Sequence, residues 1–233
     1  MLMICLIFIK KETMKIYLYL ILASVFLISC GDKASNPCPQ KFVVFGKTIP
    51  YDSIYHIGDT LTLCAKYNYM VYEQNTKSYY NLKNISGIDV RLGITNIDTI
   101  CENLDSRLTD YIDVVPNNIY SQRIQTFSNG HIILYSKMIL DNDTFRHEIK
   151  IIFKQKGLFV LGYGPSCINN NSYFAGKCNN TQYDMFTRLN PDLDNNINLL
   201  ALSPDEHFNN WILKQHPEQN FYLGGGFAYK IID

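Results

Sequence analysis

Cys167 and Cys178 bracket a polar loop, Ile168 to Lys177, and a disulfide closing a loop of about a dozen residues contributes about 3 kcal/mol in the chain-entropy account. They are the expected pair; Cys38, Cys64 and Cys101 leave their own pairing open. No C-x-x-C or neighbouring histidine pair occurs, so the cysteines do not read as a zinc site. Asp192-Leu193-Asp194-Asn195-Asn196 puts oxygen donors at alternate positions, as a calcium loop does. Asp192, Asp194 and Asn196 are therefore the calcium candidates. The pattern departs at Ile197, where a turn glycine belongs, and at Ser203, where a bidentate glutamate belongs, so the stretch reads as an Asn-rich loop. The histidines His56, His131, His147, His207 and His216 follow no ligand spacing, although His131 and His147 can meet across a hairpin. No G-x-S-x-G elbow is present. Asp141/Asp143 and Asp205/Glu206 read as turn and cap residues, and Gly224-Gly225-Gly226 opens no helix that would cradle a phosphate. Tyr67, Tyr69, Tyr72, Tyr79 and Tyr80 can stack against sugars or fill a β-core. No catalytic set, cofactor or metal is expected.

The elements that would position these residues are mostly strands. The chain has 233 residues, 47% hydrophobic and only 18% charged, with 17 Tyr and 13 Phe, and buries enough apolar surface to fold. Lys41–Lys47 is an apolar run, and Gly58-Asp59-Thr60 opens a strand over Leu61–Tyr72. Gly87–Thr95 alternates, with Ile88, Val90, Leu92 and Ile94 on one face and Asp89, Arg91 and Thr95 on the other. His131–Leu140 and Thr144–Lys154 flank the turn Asp141-Asn142-Asp143, with Phe145, His147, Ile149 and Ile151 sharing a face. Leu158–Gly162 follows, and Gly162-Tyr163-Gly164-Pro165 reads as a turn.

Ser203-Pro204-Asp205-Glu206 reads as a capping box, starting a helix over 204–215 whose stripe is Phe208, Trp211 and Ile212. Phe227–Ile232 is the last strand. The expected fold is mainly β: an immunoglobulin-like β-sandwich of about nine strands with one short C-terminal helix. It forms a single domain over 41–233, with a loop-and-helix elaboration at 166–225.

Residues 1–29 carry a positive start, Met14-Lys15, and an apolar core, Ile16–Phe26, of about a dozen residues. That is short for a hydrocarbon core of about 30 Å and suits a signal peptide; translation is expected to start at Met14. The core ends in Leu27-Ile28-Ser29-Cys30-Gly31, which resembles the lipobox of bacterial lipoproteins. The resemblance implies cleavage between Ser29 and Cys30, lipidation of Cys30 with palmitate-type acyl chains, and firm membrane anchoring. Residues 31–40 then read as a flexible tether. With Gly31 rather than an acid after the cysteine, the resemblance implies delivery to the outer membrane. Removing Lys10, Lys11, Lys15 and Glu12 from 21 basic and 21 acidic residues leaves 18 and 20, a balance without a footprint for nucleic acid.

Gly58-Asp59-Thr60 and Gly226-Phe227-Ala228-Tyr229-Lys230-Ile231 are similar to features of small uncharacterised envelope lipoproteins of gut-type Gram-negative bacteria. Asp52-Ser53-Ile54, Asp59-Thr60-Leu61 and Asp98-Thr99-Ile100 resemble O-glycosylation sequons of such bacteria. The expected function is a membrane-anchored, non-catalytic module that binds a glycan or an envelope protein. An envelope or polysaccharide hydrolase is the alternative from another class, and a structural or assembly lipoprotein is the third.

Overall fold

Ile88, Val90, Leu92 and Ile94 are all buried while Asp89 and Arg91 between them are exposed; alternation of period two makes this segment a strand. The computed structural model describes residues 38–85, 87–100, 110, 112–116, 123–126, 132–165, 178 and 183–233. Ser29, Cys30, the expected leader, most of the expected tether, Cys101, His131 and Cys167 lie outside them.

The described strands are β1 (Lys41–Ile49), β2 (Ile54–His56), β3 (Thr60–Asn68), β4 (Met70–Glu73), β5 (Ser78–Asn81), β6 (Ile88–Asn96) and β7 (Ile112–Pro116). They continue with β8 (Arg123–Thr126), β9 (Ile132–Asp141), β10 (Thr144–Phe153), β11 (Gly157–Pro165), β12 (Asp184–Leu189) and β13 (Gly226–Ile232). One layer runs β10-β3-β1-β4-β5, with β12 parallel to β1 and β7 beside β10. The other runs β2-β13-β11-β6-β9, with β8 on β9. β9 belongs to both: Ile132–Met138 pairs with β6, and Ile139–Asp141 pairs with β10. The β9–β10 turn places Asn142 and Asp143 at φ 45° and 63°, the left-handed pair that matches strand twist in a two-residue hairpin.

Between the layers lies the main core. Leu61, Leu63, Phe145, Ile149 and Ile151 from one side meet Leu92, Phe159, Leu161, Phe227 and Tyr229 from the other. This is the β-sandwich expected from the alternating segments, with thirteen described strands instead of about nine. The additional strands are short or carry no clean alternation, as in β2, β4, β5, β7 and β8.

Several expectations change. Gly162 to Pro165 continues β11 rather than turning, because its main chain pairs with β6 as far as Val90. The segment 166–225 includes a strand, β12, held by six consecutive parallel partners on β1. It also holds three helical pieces: α1 (Ile197–Leu202, 3-10), α2 (His207–Gln215) and α3 (Glu218–Tyr222). α2 and α3 are π-helical, closing with i→i+5 bonds such as His216 N–H to Trp211 O and Leu223 N–H to Glu218 O. The wider turn rotates Trp211 away from the stripe: Phe208 and Ile212 are buried, but Trp211 is 39% exposed. Ser203 and Glu206 form no capping box. Ser203 Oγ accepts from Asp205 N–H, and Asp205 Oδ1 accepts from His207 N–H.

Cys178 is bonded to Cys38, not to Cys167. β12 runs beside β1, so the residues just before each strand meet, and Asp184 N–H donates to Gln40 O there. Glu73 ties the same corner from the other side of β1. Its fully buried carboxylate accepts from the main chain of Gln40, Lys41 and Thr76 and from Thr76 Oγ1 at 2.6–3.0 Å. Burial alone would raise its pKa; the four donors outweigh burial and hold it down to about 2.

Candidate functional site

Hydrolytic chemistry requires a nucleophile beside a base, within reach of substrate. β9, β10 and β11 bring one such constellation together. Ser136 Oγ lies 2.7 Å from His147 Nε2, and His147 Nδ1 lies 2.8 Å from the Tyr163 hydroxyl. Yet Ser136, His147 and Tyr163 are all buried, and Phe145, Ile149 and Ile151 fill the same face of β10. Desolvation lowers the His147 pKa to about 4 and pushes the Tyr163 hydroxyl up. The triad is a closed polar network in the core, where a ring with two partners is stable and a substrate cannot reach it.

The other candidates are scattered. Cys64 is a half-buried free thiol whose pKa is raised, first by burial and then by Glu148. His56 sits 3.7 Å from Asp59 on the surface. His207 and His216 flank the Trp211 ring, each with its centroid 5.0 Å away. Of the five tyrosines, only Tyr72 and Tyr79 are well exposed, as a cross-strand pair with rings 5.4 Å apart.

Of the three calcium candidates, Asp192 is exposed, and Asp194 and Asn196 are occupied by structural bonds. Asp194 Oδ1 accepts from the Tyr51 hydroxyl at 2.8 Å and from Asn196 N–H at 3.0 Å. The Asn196 side chain donates to the carbonyls of Asp52 and Ala228. Asn195, fully buried, accepts from Asn190 and donates to Leu189 O. Asn190, Asn195 and Asn196 all have positive φ, a conformation asparagine tolerates. The loop is a clasp joining the end of β1, the segment after it and β13. Among the described residues no group of three or more His, Cys, Asp or Glu converges on a point.

Among the described residues, one open feature is a groove of about 590 Å³ on the outer face of the second layer, under α2 and α3 and beside β12. Its floor is set by cross-strand rows. Arg91 of β6 faces Gly164 of β11; Gly93 faces Gly162, which faces Gly226 of β13; Thr95 faces Val160, which faces Ala228. Phe208, Ile212, Phe221 and Leu223 supply apolar walls. Thr187 of β12 closes one side. Thr187 is 1% exposed, and its hydroxyl has no hydrogen-bond partner among the described residues. A Cβ on Gly164 would stand 3.6 Å from that Oγ1. Arg91 is exposed at the same row, and Asp184 is the acid on the wall.

No family model and no curated protein matches this sequence. Among solved structures, the chain is similar to the second type II cohesin module of the adaptor ScaA scaffoldin of Acetivibrio cellulolyticus, at 9% identity and a TM-score of 0.30. That match covers 63% of this chain and 86% of that one. A type II cohesin domain from the cellulosome of the same organism gives 8% identity and a TM-score of 0.28 over 64% and 92%. At these values the likeness carries nothing about function, and the fold assignment rests on the strand pairings.

The groove was missed from sequence, though a signal is present. Gly93, Gly162 and Gly164 fall on one face of alternating strands, and glycine inside a strand marks close approach of something else. Nothing local says that Gly93, Gly162 and Gly226 lie side by side.

Proposed function

We propose that this chain is an outer-membrane lipoprotein, lipidated at Cys30, whose β-sandwich is a non-catalytic binding module taking its ligand in the groove beneath α2 and α3. The observation that carries the binding reading is the groove itself: a floor whose middle row, Gly93, Gly162 and Gly226, has no side chains, walls that Phe208, Ile212, Phe221 and Leu223 make largely apolar, and an unpartnered buried hydroxyl. Binding sites are concave, mostly apolar and furnished with few polar groups. Sealing of the Ser136–His147 pair argues against hydrolysis by that pair. The Cys38–Cys178 bond suits an oxidising envelope, and Leu27-Ile28-Ser29-Cys30-Gly31 supports the anchor.

Labelled palmitate should enter the wild-type protein and not Cys30→Ala. The lipoprotein extracted from cells should carry a small adduct, released on denaturation and seen by native mass spectrometry. That adduct should be missing from Gly164→Leu, whose side chain fills the groove, with melting followed as a folding control. An unmodified Cys30 would sink the anchor; identical spectra for wild type and Gly164→Leu would sink the groove.

A second reading rests on the exposed Tyr72–Tyr79 pair of β4 and β5, which suits a sugar face or an envelope protein. Glycan-array binding lost in Tyr79→Ala would support it.

A further inference from the structure

Taking the groove as the binding site, we propose that its ligand is a medium-chain monocarboxylate. The carboxylate sits over Gly164 between Arg91 and Thr187, and the tail runs across Gly162 toward Phe208, Ile212 and Phe221.

The head position follows from one row. Arg91 is the cross-strand partner of Gly164, and Thr187 Oγ1 lies on that glycine's other side. The missing Cβ leaves a space against the Thr187 hydroxyl, and exposed Arg91 on the neighbouring strand lines the same groove; a hydroxyl and a guanidinium are two donors that suit a carboxylate. Burying the Thr187 hydroxyl without a partner is unfavourable, and an acceptor over Gly164 relieves it. Arg91 forms no ion pair among the described residues. Asp184 on the same wall disfavours a polyanion.

The tail position follows from the next two rows. Each is two residues further along β11, so the Val160 row lies about 13 Å from the Gly164 row. Between them Gly93 and Gly162 present no side chain. Phe221 already packs against Gly226, where a Cβ would stand 2.6 Å from its ring. The floor's amides are spent on strand pairing, and the walls given by Phe208, Ile212, Phe221 and Leu223 are apolar, so an extended peptide lying against them would leave its own amides unpaired. An alkyl chain leaves none.

Octanoate would be titrated into the full-length lipoprotein in lipid nanodiscs, with fluorescence of the single Trp211, on the helix that lends Phe208 and Ile212 to the groove, as the signal. Identical discs holding variants cancel partition into lipid. Saturable binding is expected, weakened at least tenfold by Arg91→Gln and by Gly164→Ala, whose Cβ has only ordinary contacts and so leaves the fold intact. Thr187→Val should weaken binding severalfold while keeping or raising the melting temperature, a combination that a merely structural role would not produce. 1-Octanol should bind at least tenfold more weakly than octanoate. Equal binding of octanol, or unchanged binding to Arg91→Gln, overturns the carboxylate site. A peptide such as Ala-Leu-Phe binding where octanoate does not overturns the ligand class and leaves the groove reading standing. No binding by any probe, together with no adduct on the extracted protein, overturns both.

Discussion

His147 Nδ1 on β10 and the Tyr163 hydroxyl on β11, strands of opposite layers, meet at 2.8 Å inside the sandwich while Ser136 occupies the ring's other nitrogen. Both ring nitrogens are spent on neutral partners and water is excluded, so the folded protein holds the imidazole uncharged.

That arrangement makes stability fall with acid. The unfolded histidine takes a proton near pH 6.5, whereas the folded one, lowered by desolvation, takes it near 4. Stability is full above about pH 6.5 and is lost as pH falls toward 4, by on the order of 3 kcal/mol. Urea midpoints for wild type and His147→Asn at pH 7 and pH 4.5 check this. The asparagine variant should be weaker at pH 7 and flatter across that window; parallel curves would refute it.

Cys38 and Cys178 are 140 residues apart. A loop of that length is worth about 5 kcal/mol in the chain-entropy account. Peptide mapping without reductant should recover a Cys38–Cys178 link, and Cys38→Ser should lower the melting temperature by at least 10 °C. Recovery of Cys167 joined to Cys178 would contradict the assignment.

Asn195→Ala should cost about 2–3 kcal/mol, because it strands the buried Asn190 amide and Leu189 carbonyl. Calcium at millimolar concentration should leave the melting temperature of the wild type unchanged. A calcium-dependent rise lost in Asp194→Ala would restore the metal reading.

Trp211→Ala should cost less than about 1 kcal/mol and Phe208→Ala about 3 kcal/mol, since Trp211 is 39% and Phe208 7% exposed. Equal losses in chemical denaturation would mean that α2 turns its tryptophan inward. Gly225→Ala should be among the most damaging single changes. Its φ is +64°, and a Cβ there would stand 1.9 Å from the Tyr163 carbonyl oxygen, so expression of folded protein should fall sharply.

Much of the sandwich was legible because period-two burial is a local property. Ile88 to Ile94 and Phe145 to Ile151 declare their buried faces, and Asp141-Asn142-Asp143 its hairpin, within a few residues. The resemblance of Leu27-Ile28-Ser29-Cys30-Gly31 to a lipobox is local in the same way, since it rests on contiguous residues. Neighbours across the fold are different. That Cys178 meets Cys38 and that Asp194 and Asn196 clasp strands instead of a cation depend on β12 lying parallel to β1, and that Glu73 gathers four donors depends on β4 lying against β1. The groove depends on Gly93, Gly162 and Gly226 falling into one row and on Thr187 standing beside Gly164. Sequence alternation determines which side of a strand faces inward; which strand lies next to it, and so which side chains share a space, is decided only when distant segments pair and pack.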